Sequence, residues 1–319
     1  MSADLLASRV SNGVNVRGEK IYVGLSGGVD SAVSAVLLKN AGAEVTGVFI
    51  KGWYPPGMPC TWAEERRDAM RVVARLHIPF RTLDASVEYK KGVIDYLLAE
   101  YRAGRTPNPD VMCNREVKFG AFYRYALKEG ADAIATGHYR SGGKDQSYFL
   151  WAVPKDILDT VIFPVGNMEK DEVRALAKKY NLPVAEKKDS QGICFLGSVS
   201  VEEFLKKELG DDNPALLYTI GQRIEGGYVV GKDVEKKEIK IAKTRAGGAR
   251  EVRFTDANWF SEPAQATEAQ YRYRGSRMRG RIEGDIFISA HPLPDIPAPG
   301  QSLVFYRDGE LIGGGIITG

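Results

Sequence analysis

The stretch Lys20-Ile21-Tyr22-Val23-Gly24-Leu25-Ser26-Gly27-Gly28-Val29-Asp30-Ser31 decides the fold. Lys20 to Val23 reads as a short buried strand, β-branched and apolar. Beyond the glycines, Ala32, Val33, Ala35, Val36 and Leu37 give the first turns of a helix with an apolar face. A strand, a tight glycine-rich turn and a helix start make a phosphate-sized cup. Backbone N–H groups point into it, Gly27 and Gly28 allow close approach, and the helix N-terminus favours an anion. Ser26 and Ser31 add hydroxyl donors, and Asp30 is placed to cap the helix or to help hold a magnesium ion.

The commoner nucleotide loops do not fit. There is no G-x-x-x-x-G-K-[ST] and no G-x-G-x-x-G. The spacing S-G-G-x-D-S instead resembles the loop of enzymes that split ATP into AMP and pyrophosphate. That resemblance implies adenylation of a substrate oxygen, followed by displacement of AMP by a nucleophile.

Outward from the loop, Glu44 to Ile50 reads as a second strand and Pro79 to Leu83 as a third. Between them Trp62, Arg66, Ala69, Met70, Val73 and Leu76 recur at helical spacing, with Thr61 as the cap. Ile94, Leu97, Leu98 and Tyr101 mark another helix, and Asp132 to Thr136 a further strand that ends in Gly137-His138-Tyr139. Strands alternating with helices argue a parallel sheet covered on both sides, an α/β fold whose ligands sit beyond the carboxyl ends of the strands. Tyr148-Phe149-Leu150-Trp151 reads as the start of a strand and Lys170 to Tyr180 as a helix.

The chain of 319 residues is long for one core, so two or three domains are expected. Its 44% hydrophobic and 27% charged residues are ordinary for a globular protein, and a net charge of +3 says little about nucleic acid. No run reaches the length of a membrane span. Met1 to Glu19 lacks the apolar core of a signal peptide; it reads as a frayed extension, with a mildly basic, serine-containing targeting segment as the alternative. The expected location is the cytoplasm.

Three cysteines, Cys60, Cys113 and Cys194, are too few and too scattered for a disulfide framework, and without C-x-x-C there is no local zinc knuckle. No metal ligands are assigned, the three histidines included. Cys113 follows Gly104-Arg105-Thr106-Pro107-Asn108-Pro109-Asp110, a turn stiffened by two prolines, and sits near the start of a helix running through Lys118, Ala121, Phe122 and Tyr125. It reads equally as an activated thiol at a helix start or as a buried cysteine behind an Asx-Pro turn. Cys194, in Lys187-Lys188-Asp189-Ser190-Gln191-Gly192-Ile193-Cys194-Phe195, suits an exposed thiolate, with a small packed hydrophobe as the alternative.

Taken in order, S-G-G-V-D-S, G-R-T-P-N-P-D-x-x-C-N, A-T-G-H-Y, K-D-Q-S-Y-F-L and D-S-Q-G-I-C-F-L-G make the chain resemble the tRNA-specific 2-thiouridylase family, from about Lys20 almost to the C-terminus. The resemblance implies thiolation of the wobble uridine of tRNA: ATP adenylates O2 of the uracil and a cysteine persulfide delivers sulfur to C2. Cys194 would carry the persulfide. Cys113 would be the second catalytic thiol, releasing sulfur by attack on the persulfide or by forming a disulfide with Cys194. Asp110 would be the acid/base group, and Asn108, Pro109 and Asp110 would contact the target base. ATP would contact Gly24, Leu25, Ser26, Gly27, Gly28, Val29, Asp30 and Ser31, together with Ile50, where the family usually has methionine, and Gly137. Lys144, Asp145 and Gln146 fall on a tRNA-contact segment of the family, as do Arg272 and Tyr273. Implied partners are ATP, Mg2+, the anticodon stem-loop of tRNA, presented single-stranded with its base extruded, and a sulfur-relay protein or cysteine desulfurase. A monomer is expected.

The C-terminal part turns β-rich near Leu217. Tyr228 to Asp233 reads as a strand entering a turn. Tyr271-Arg272-Tyr273-Arg274, with Arg277, Arg279 and Arg281, reads as a basic strand with interleaved aromatics, suited to phosphates and stacked bases or simply to solvent. A hairpin through Asp308-Gly309 closes a small β-barrel. The expected division is an extension over 1–19, an ATP-pyrophosphatase domain over 20–200, a linker over 201–245 and a tRNA-binding barrel over 246–319. The linker is shorter than the family's central domain and starts with an acidic helical stretch, Val201 to Asp212. Competing readings are an amidating ATP-pyrophosphatase in which the cysteines are incidental, a thiolase whose Cys60, Cys113 and Cys194 hold an iron–sulfur cluster, and a non-catalytic RNA-binding protein.

Overall fold

A computed structural model describes residues 15–57, 62–188, 200–245 and 247–318. The chain forms two compact units. The first holds residues up to Lys90, Asn114–Ser147 and Asp156–Ser198; the second holds Lys91–Cys113, Tyr148–Lys155 and Val199 onward. Among the described residues no helix is long and apolar enough to cross a membrane.

In the first unit β1 (Lys20–Gly24), β2 (Glu44–Lys51), β3 (Phe80–Asp84), β4 (Ala133–Ala135) and β5 (Val161–Ile162) build one parallel sheet in the order β3-β2-β1-β4-β5. Ile21 and Val23 of β1 are wholly buried and pair with Val45 and Gly47 on one side and Ala133 and Ala135 on the other. Helix α1 (Val29–Asn40) is apolar nearly all round, with every residue from Val29 to Leu38 but Asp30 buried, so it runs inside the layer rather than over it. Helix α2 (Trp62–Leu76) is amphipathic and buries Ala69, Val72, Val73 and Leu76 alone. Gly47 of β2 makes room for α2 and the loop after β1: a Cβ there would stand 2.6 Å from both Leu25 and Val73. The strand order reverses between β1 and β4, the crevice where open α/β sheets bind ligands.

In the second unit six antiparallel strands close a barrel in the order β10-β11-β12-β9-β14-β13. They are β9 (Glu251–Trp259), β10 (Glu268–Gln270), β11 (Met278–Glu283), β12 (Ile286–Ser289), β13 (Ser302–Arg307) and β14 (Glu310–Ile317). Closure leaves no unpaired edge. Phe254, Phe287 and Phe305 fill the interior, with Trp259 stacked on Phe305 at 5.1 Å. Asp308 and Gly309 both take positive φ, 52° and 86°, as a two-residue hairpin of the expected kind requires. The linker region is a helix, Val201–Leu209, a short turn of helix, Pro214–Leu217, and a small antiparallel sheet of β6 (Arg223–Ile224), β7 (Gly227–Asp233) and β8 (Glu238–Ala242).

Two sequence expectations change. Tyr148 to Trp151 is no strand but a short 3-10 turn and loop pressed onto the barrel. Trp151 Nε1 donates to Ser302 Oγ at 2.9 Å, Asn258 Nδ2 donates to the Trp151 and Val153 carbonyls, and Gly314 leaves the slot, since a Cβ there would lie 2.6 Å from the indole. Large side chains seeking one pocket, not backbone pairing, set that segment. The stretch from Tyr271 to Arg281 is likewise not one basic strand: β10 ends at Gln270, residues 271–275 turn, and β11 begins at Met278. Gln270 Nε2 bonds the Gly275 carbonyl across the turn, and Arg274 takes φ 61°, which breaks extended backbone.

Candidate active site

The loop after β1 lies at the switch point. The Leu25 amide donates to the Val48 carbonyl at 2.8 Å, anchoring it to β2. Ser31 Oγ accepts from the Ser26 amide and donates to the Gly28 carbonyl, both at 3.3 Å, so its hydroxyl braces the turn from within. Gly27 takes φ +73°, and a Cβ there would stand 2.4 Å from the Glu65 carbonyl of α2; no other residue fits. The N-cap of α1 is Gly28, which offers no side chain, and no side-chain cap bond is made. The amides of the first helical turn are therefore left for an anion.

Of the two roles the sequence left open for Asp30, capping the helix is not taken, since Gly28 is the cap. Asp30 stands inside the first turn, and its Oδ1 accepts from the Tyr139 hydroxyl at 2.7 Å and from Lys170 Nζ at 2.6 Å. The physical reason is supply: two strong donors from other segments reach the carboxylate, and one of them is a charge. Lys170 comes from the N-terminus of the helix Lys170–Lys179, and its side chain is only 13% exposed. A second ammonium, Lys187 Nζ, donates to the Gly27 carbonyl at 3.1 Å and pairs with Asp68 at 2.7 Å. Two cations thus sit on a loop whose amides already favour negative charge. Neither lysine was singled out for the loop by the sequence, because both lie about 140 to 160 residues downstream and no local spacing links them to it.

Gly137, after β4, closes the cup. A Cβ on it would lie 2.7 Å from the Ser31 nitrogen and 2.9 Å from the Asp30 carbonyl carbon, so the two expected ATP segments touch backbone to backbone. Ile50, at the end of β2, also reaches the loop: its Cδ1 lies 3.8 Å from where a Gly24 Cβ would be. The structure therefore brings Gly24 to Ser31, Ile50 and Gly137 together. Gln146 is bound to Tyr139 in both directions, its side chain accepting from the Tyr139 amide and its own amide donating to the Tyr139 carbonyl. Asp145 accepts from the Ser147 amide, and Lys144 ends a 3-10 turn; both are half-buried.

His138 is buried beside the cup and has a structural place. Its Nδ1 pairs with Thr136 Oγ1 at 2.8 Å and its ring lies between Phe119 and Phe163 at 5.6 and 6.3 Å. Burial, helped by the nearby Lys118 charge, holds its pKa well below the usual histidine range, so the imidazole is neutral at pH 7.

In the second unit Asn108 caps a helical turn, Pro109–Met112, accepting from the Asp110 and Val111 amides at 3.2 and 3.4 Å, with Pro109 at the first position. Asp110 is exposed. Cys113 is buried, 6% exposed, and stands a full turn inside the helical run, not at its start, because the Asn-Pro cap begins the helix early. It opens a π-helical stretch, Cys113–Ala121, a rare geometry often found at functional positions. The approach to this turn is tied to the barrel: Gln301 Nε2 donates to the Thr106 and Pro107 carbonyls, and the Thr106 amide donates to the Pro299 carbonyl at 2.7 Å. Arg272 and Tyr273 lie in the turn after β10. Tyr273 packs on Phe149 at 4.4 Å, and Arg272 pairs with Asp295 at 2.8 Å. Cys60 and Cys194 lie outside the described residues, so the structure says nothing of the persulfide segment, of a disulfide or of a three-cysteine cluster.

Comparison with known proteins agrees with the geometry. A model described as the tRNA methyl transferase HUP domain matches residues 19–198, and one described as the aminomethyltransferase β-barrel domain matches 249–317. The chain is 38% identical to tRNA-specific 2-thiouridylase MnmA of Streptococcus thermophilus, over 93% of this chain and 95% of that protein. It belongs to the tRNA-specific 2-thiouridylase family. Further members of the family are similarly close. The proteins of that name from Akkermansia muciniphila and Stutzerimonas stutzeri are 39% and 40% identical over 93% of this chain, which spans 98% and 94% of them. The alignment with the Streptococcus thermophilus protein runs over 355 positions, whereas 93% of this chain is about 297 residues, so the relative carries about 58 residues that this chain lacks. As a member of this family the chain is an enzyme, a sulfurtransferase.

Proposed function

We propose that this enzyme thiolates C2 of the wobble uridine of tRNA in two half-reactions, adenylation and sulfur transfer. The observation that carries the reading is the uncapped helix N-terminus behind Gly27 and Gly28, closed by Gly137 and flanked by Lys170 and Lys187. Such a cup fits a nucleoside triphosphate. The α1 amides take one phosphate, and the two ammonium groups neutralise charge as pyrophosphate leaves. Magnesium fits here through Asp30 Oδ2 and the Ser31 hydroxyl, since Oδ1 is already taken by Tyr139 and Lys170; bound with ATP, it would withdraw charge from the triphosphate.

In the first step uracil O2 attacks the α-phosphorus, the bond to pyrophosphate breaks, and C2 acquires an AMP leaving group. In the second, the terminal sulfur of a Cys194 persulfide attacks C2 and AMP departs with the C2–O bond electrons. The Cys113 thiolate then attacks the Cys194 sulfur. The S–S bond breaks, its electrons stay on the uridine sulfur, and a Cys113–Cys194 disulfide forms that an external thiol reduces. Asp110, exposed beside the Asn108 cap, takes the acid/base part next to the base. Asn108 to Asp110, Lys144 to Gln146, Arg272 and Tyr273 contact the RNA. The sulfur comes from a persulfide-bearing relay protein or a desulfurase, the enzyme works as a monomer, and its place is the cytoplasm. The catalytic domain over 20–200 carries the chemistry and the barrel over 246–319 grips the RNA.

The test is nucleoside mass spectrometry on unmodified tRNA incubated with enzyme, magnesium-ATP and a desulfurase, with Cys194→Ala in parallel. New 2-thiouridine that vanishes in the variant is expected. Pyrophosphate release without any thiolated nucleoside overturns the reading.

A further inference from the structure

We propose that the outer face of α2, continued onto the edge strand β3, is the surface on which the sulfur-delivering protein docks, through an acidic face of its own. The proposal rests on the persulfide-dependent reading above. Residues 66–81 hold five arginines, Arg66, Arg67, Arg71, Arg75 and Arg81, against the single carboxylate of Asp68. That is a net +4 in one short stretch, where the whole chain carries only +3. Asp68 is itself taken by Arg71 at 3.1 Å and by Lys187 at 2.7 Å. Arg67, Arg71 and Arg75 recur every fourth residue, so they line one ridge with steps of about 6 Å along the helix. All three are exposed, while the core takes only Ala69, Val72, Val73 and Leu76 from this helix. The fold does not need the ridge.

An apolar stripe runs beside it. Ala63, Met70 and Ala74 are exposed on the flank of the ridge, and Met70 is 42% open to solvent. Arg66 closes the stripe on its far side. Its Nη1 reaches Met70 Sδ at 3.2 Å, its Nε donates to Thr82 Oγ1 at 3.0 Å, and its guanidinium lies over the Phe80 ring at 5.4 Å. Phe80 and Thr82 belong to β3, the outermost strand of the sheet, which pairs with β2 on one side and with no other strand among the described residues. Helix and edge strand thus share one surface, apolar along its middle and lined by arginine on both sides.

Its chemistry favours a protein over RNA. The exposed positions of α2 hold no lysine, aromatic, amide or hydroxyl side chain, so nothing there stacks on a base or reads a sugar. Arginine with methionine, and no lysine, is instead the composition of a protein interface, and the ridge attracts an acidic partner from a distance. Position names which partner. The Glu65 carbonyl of α2 lies against Gly27 of the phosphate cup, and Asp68 holds Lys187, seven residues before Cys194. At most about 25 Å of extended chain therefore separates this surface from the cysteine expected to receive sulfur. In the transfer, the Cys194 thiolate attacks the terminal sulfur of the donor's persulfide. The donor's S–S bond breaks, its cysteine leaves as a thiolate, and the sulfane sulfur stays on Cys194.

The experiment compares wild type with the double variant Arg67→Glu/Arg75→Glu and with Met70→Ser. Anisotropy gives the Kd for the cell's own cysteine desulfurase and for unmodified tRNA. Nucleoside mass spectrometry gives thiolation driven either by the desulfurase with cysteine or by inorganic sulfide, which attacks the adenylated C2 directly and needs no docked donor. The double variant should weaken desulfurase binding, and raise the KM for it, about tenfold or more, and Met70→Ser about threefold. The deficit of the double variant should shrink as salt screens the ridge. The tRNA Kd and sulfide-driven thiolation should stay within about twofold of wild type in both. Thermal melts confirm that each variant folds, and the second variant keeps the test alive if the first does not. A desulfurase Kd unchanged in both variants, or no saturable binding to wild type, overturns the proposal. Weakened tRNA binding with an unchanged desulfurase Kd assigns the ridge to RNA and also overturns it. Failure of wild type to thiolate from either source sinks the reaction, while the desulfurase Kd still decides the surface.

Discussion

Replacing Gly137 with alanine tests the proposed nucleotide site most directly. The added methyl would lie 2.7 Å from the Ser31 nitrogen, 2.9 Å from the Asp30 carbonyl carbon and 3.1 Å from the Asp30 Cβ. Two of these neighbours are backbone, so no rotamer change relieves the clash. Ordinary contact begins near 3.4 Å, so the two loops must part by about 0.7 Å or more. Overpacking of this kind costs about 1–3 kcal/mol of stability, which a domain of this size tolerates. Catalysis suffers more, because the Ser31 amide and the Asp30 carboxylate move with the loop, and a displacement near 1 Å costs about 10²-fold in rate. Gly143→Ala is the control, since nothing lies within 4 Å of its Cβ position. The assay is tRNA-dependent AMP release, with calorimetric titration of ATP. Gly137→Ala should lose about 10²-fold in AMP release and bind ATP more weakly, while Gly143→Ala stays within about twofold. Wild-type ATP affinity and AMP release in Gly137→Ala would refute the assignment of the β1–β4 crevice to the nucleotide.

Three further outcomes are expected. Lys170→Met should slow AMP formation by about 10²-fold through loss of one phosphate-neutralising charge, with folding kept because Asp30 retains Tyr139; steady-state kinetics in ATP and a melt check both. His138 is held neutral by burial, so the unfolded chain takes up its proton first as pH falls below about 6.5 and the residue costs stability on acidification; urea unfolding at about pH 5 and 7.5 should show a shallower fall in His138→Gln than in wild type. Lys232, with its pKa lowered to about 8 by burial, is charged at neutral pH and carries that desolvation cost, while the unfolded chain keeps the proton up to about 10.5, so stability rises with pH between the two values. Lys232→Met should therefore melt higher at pH 7. The gain is about 1–2 kcal/mol after losing the bond to the Tyr218 carbonyl and the contact with the Tyr101 ring, and it should fade above about pH 10.

Much of the site was legible because its chemistry is local. Gly27 and Gly28 between a β-branched strand and an apolar helix carry their own conformational instructions, and Asn108-Pro109 writes a helix start into adjacent residues. What was misread depended on partners far along the chain. Tyr148 to Trp151 has strand composition, yet the slot at Gly314 takes the indole, and the Trp151 carbonyl accepts from the Asn258 side chain instead of from a neighbouring strand. Tyr271 to Arg281 alternates like a strand, yet barrel closure needs a turn inside it. Cys113 read as lying near the start of a helix, but the stiff Asn108-Pro109 turn is itself the cap, so the helix begins at Pro109 and Cys113 falls a full turn inside it.

The sequence by itself determined the α/β class, the glycine-rich strand–turn–helix at residues 20–40 and the C-terminal β-rich part. Each follows from periodicity or backbone conformation within a few residues, where interactions are fixed by covalent neighbours. Only the tertiary structure decided that Lys170 and Lys187 serve the loop, that Gly137 touches Ser31, and that Asp295 and Gly221 hold Arg272. Ion pairs and close backbone contacts act over a few ångströms in space, whatever the separation in sequence, so they exist only once the strands have been ordered and the barrel has closed.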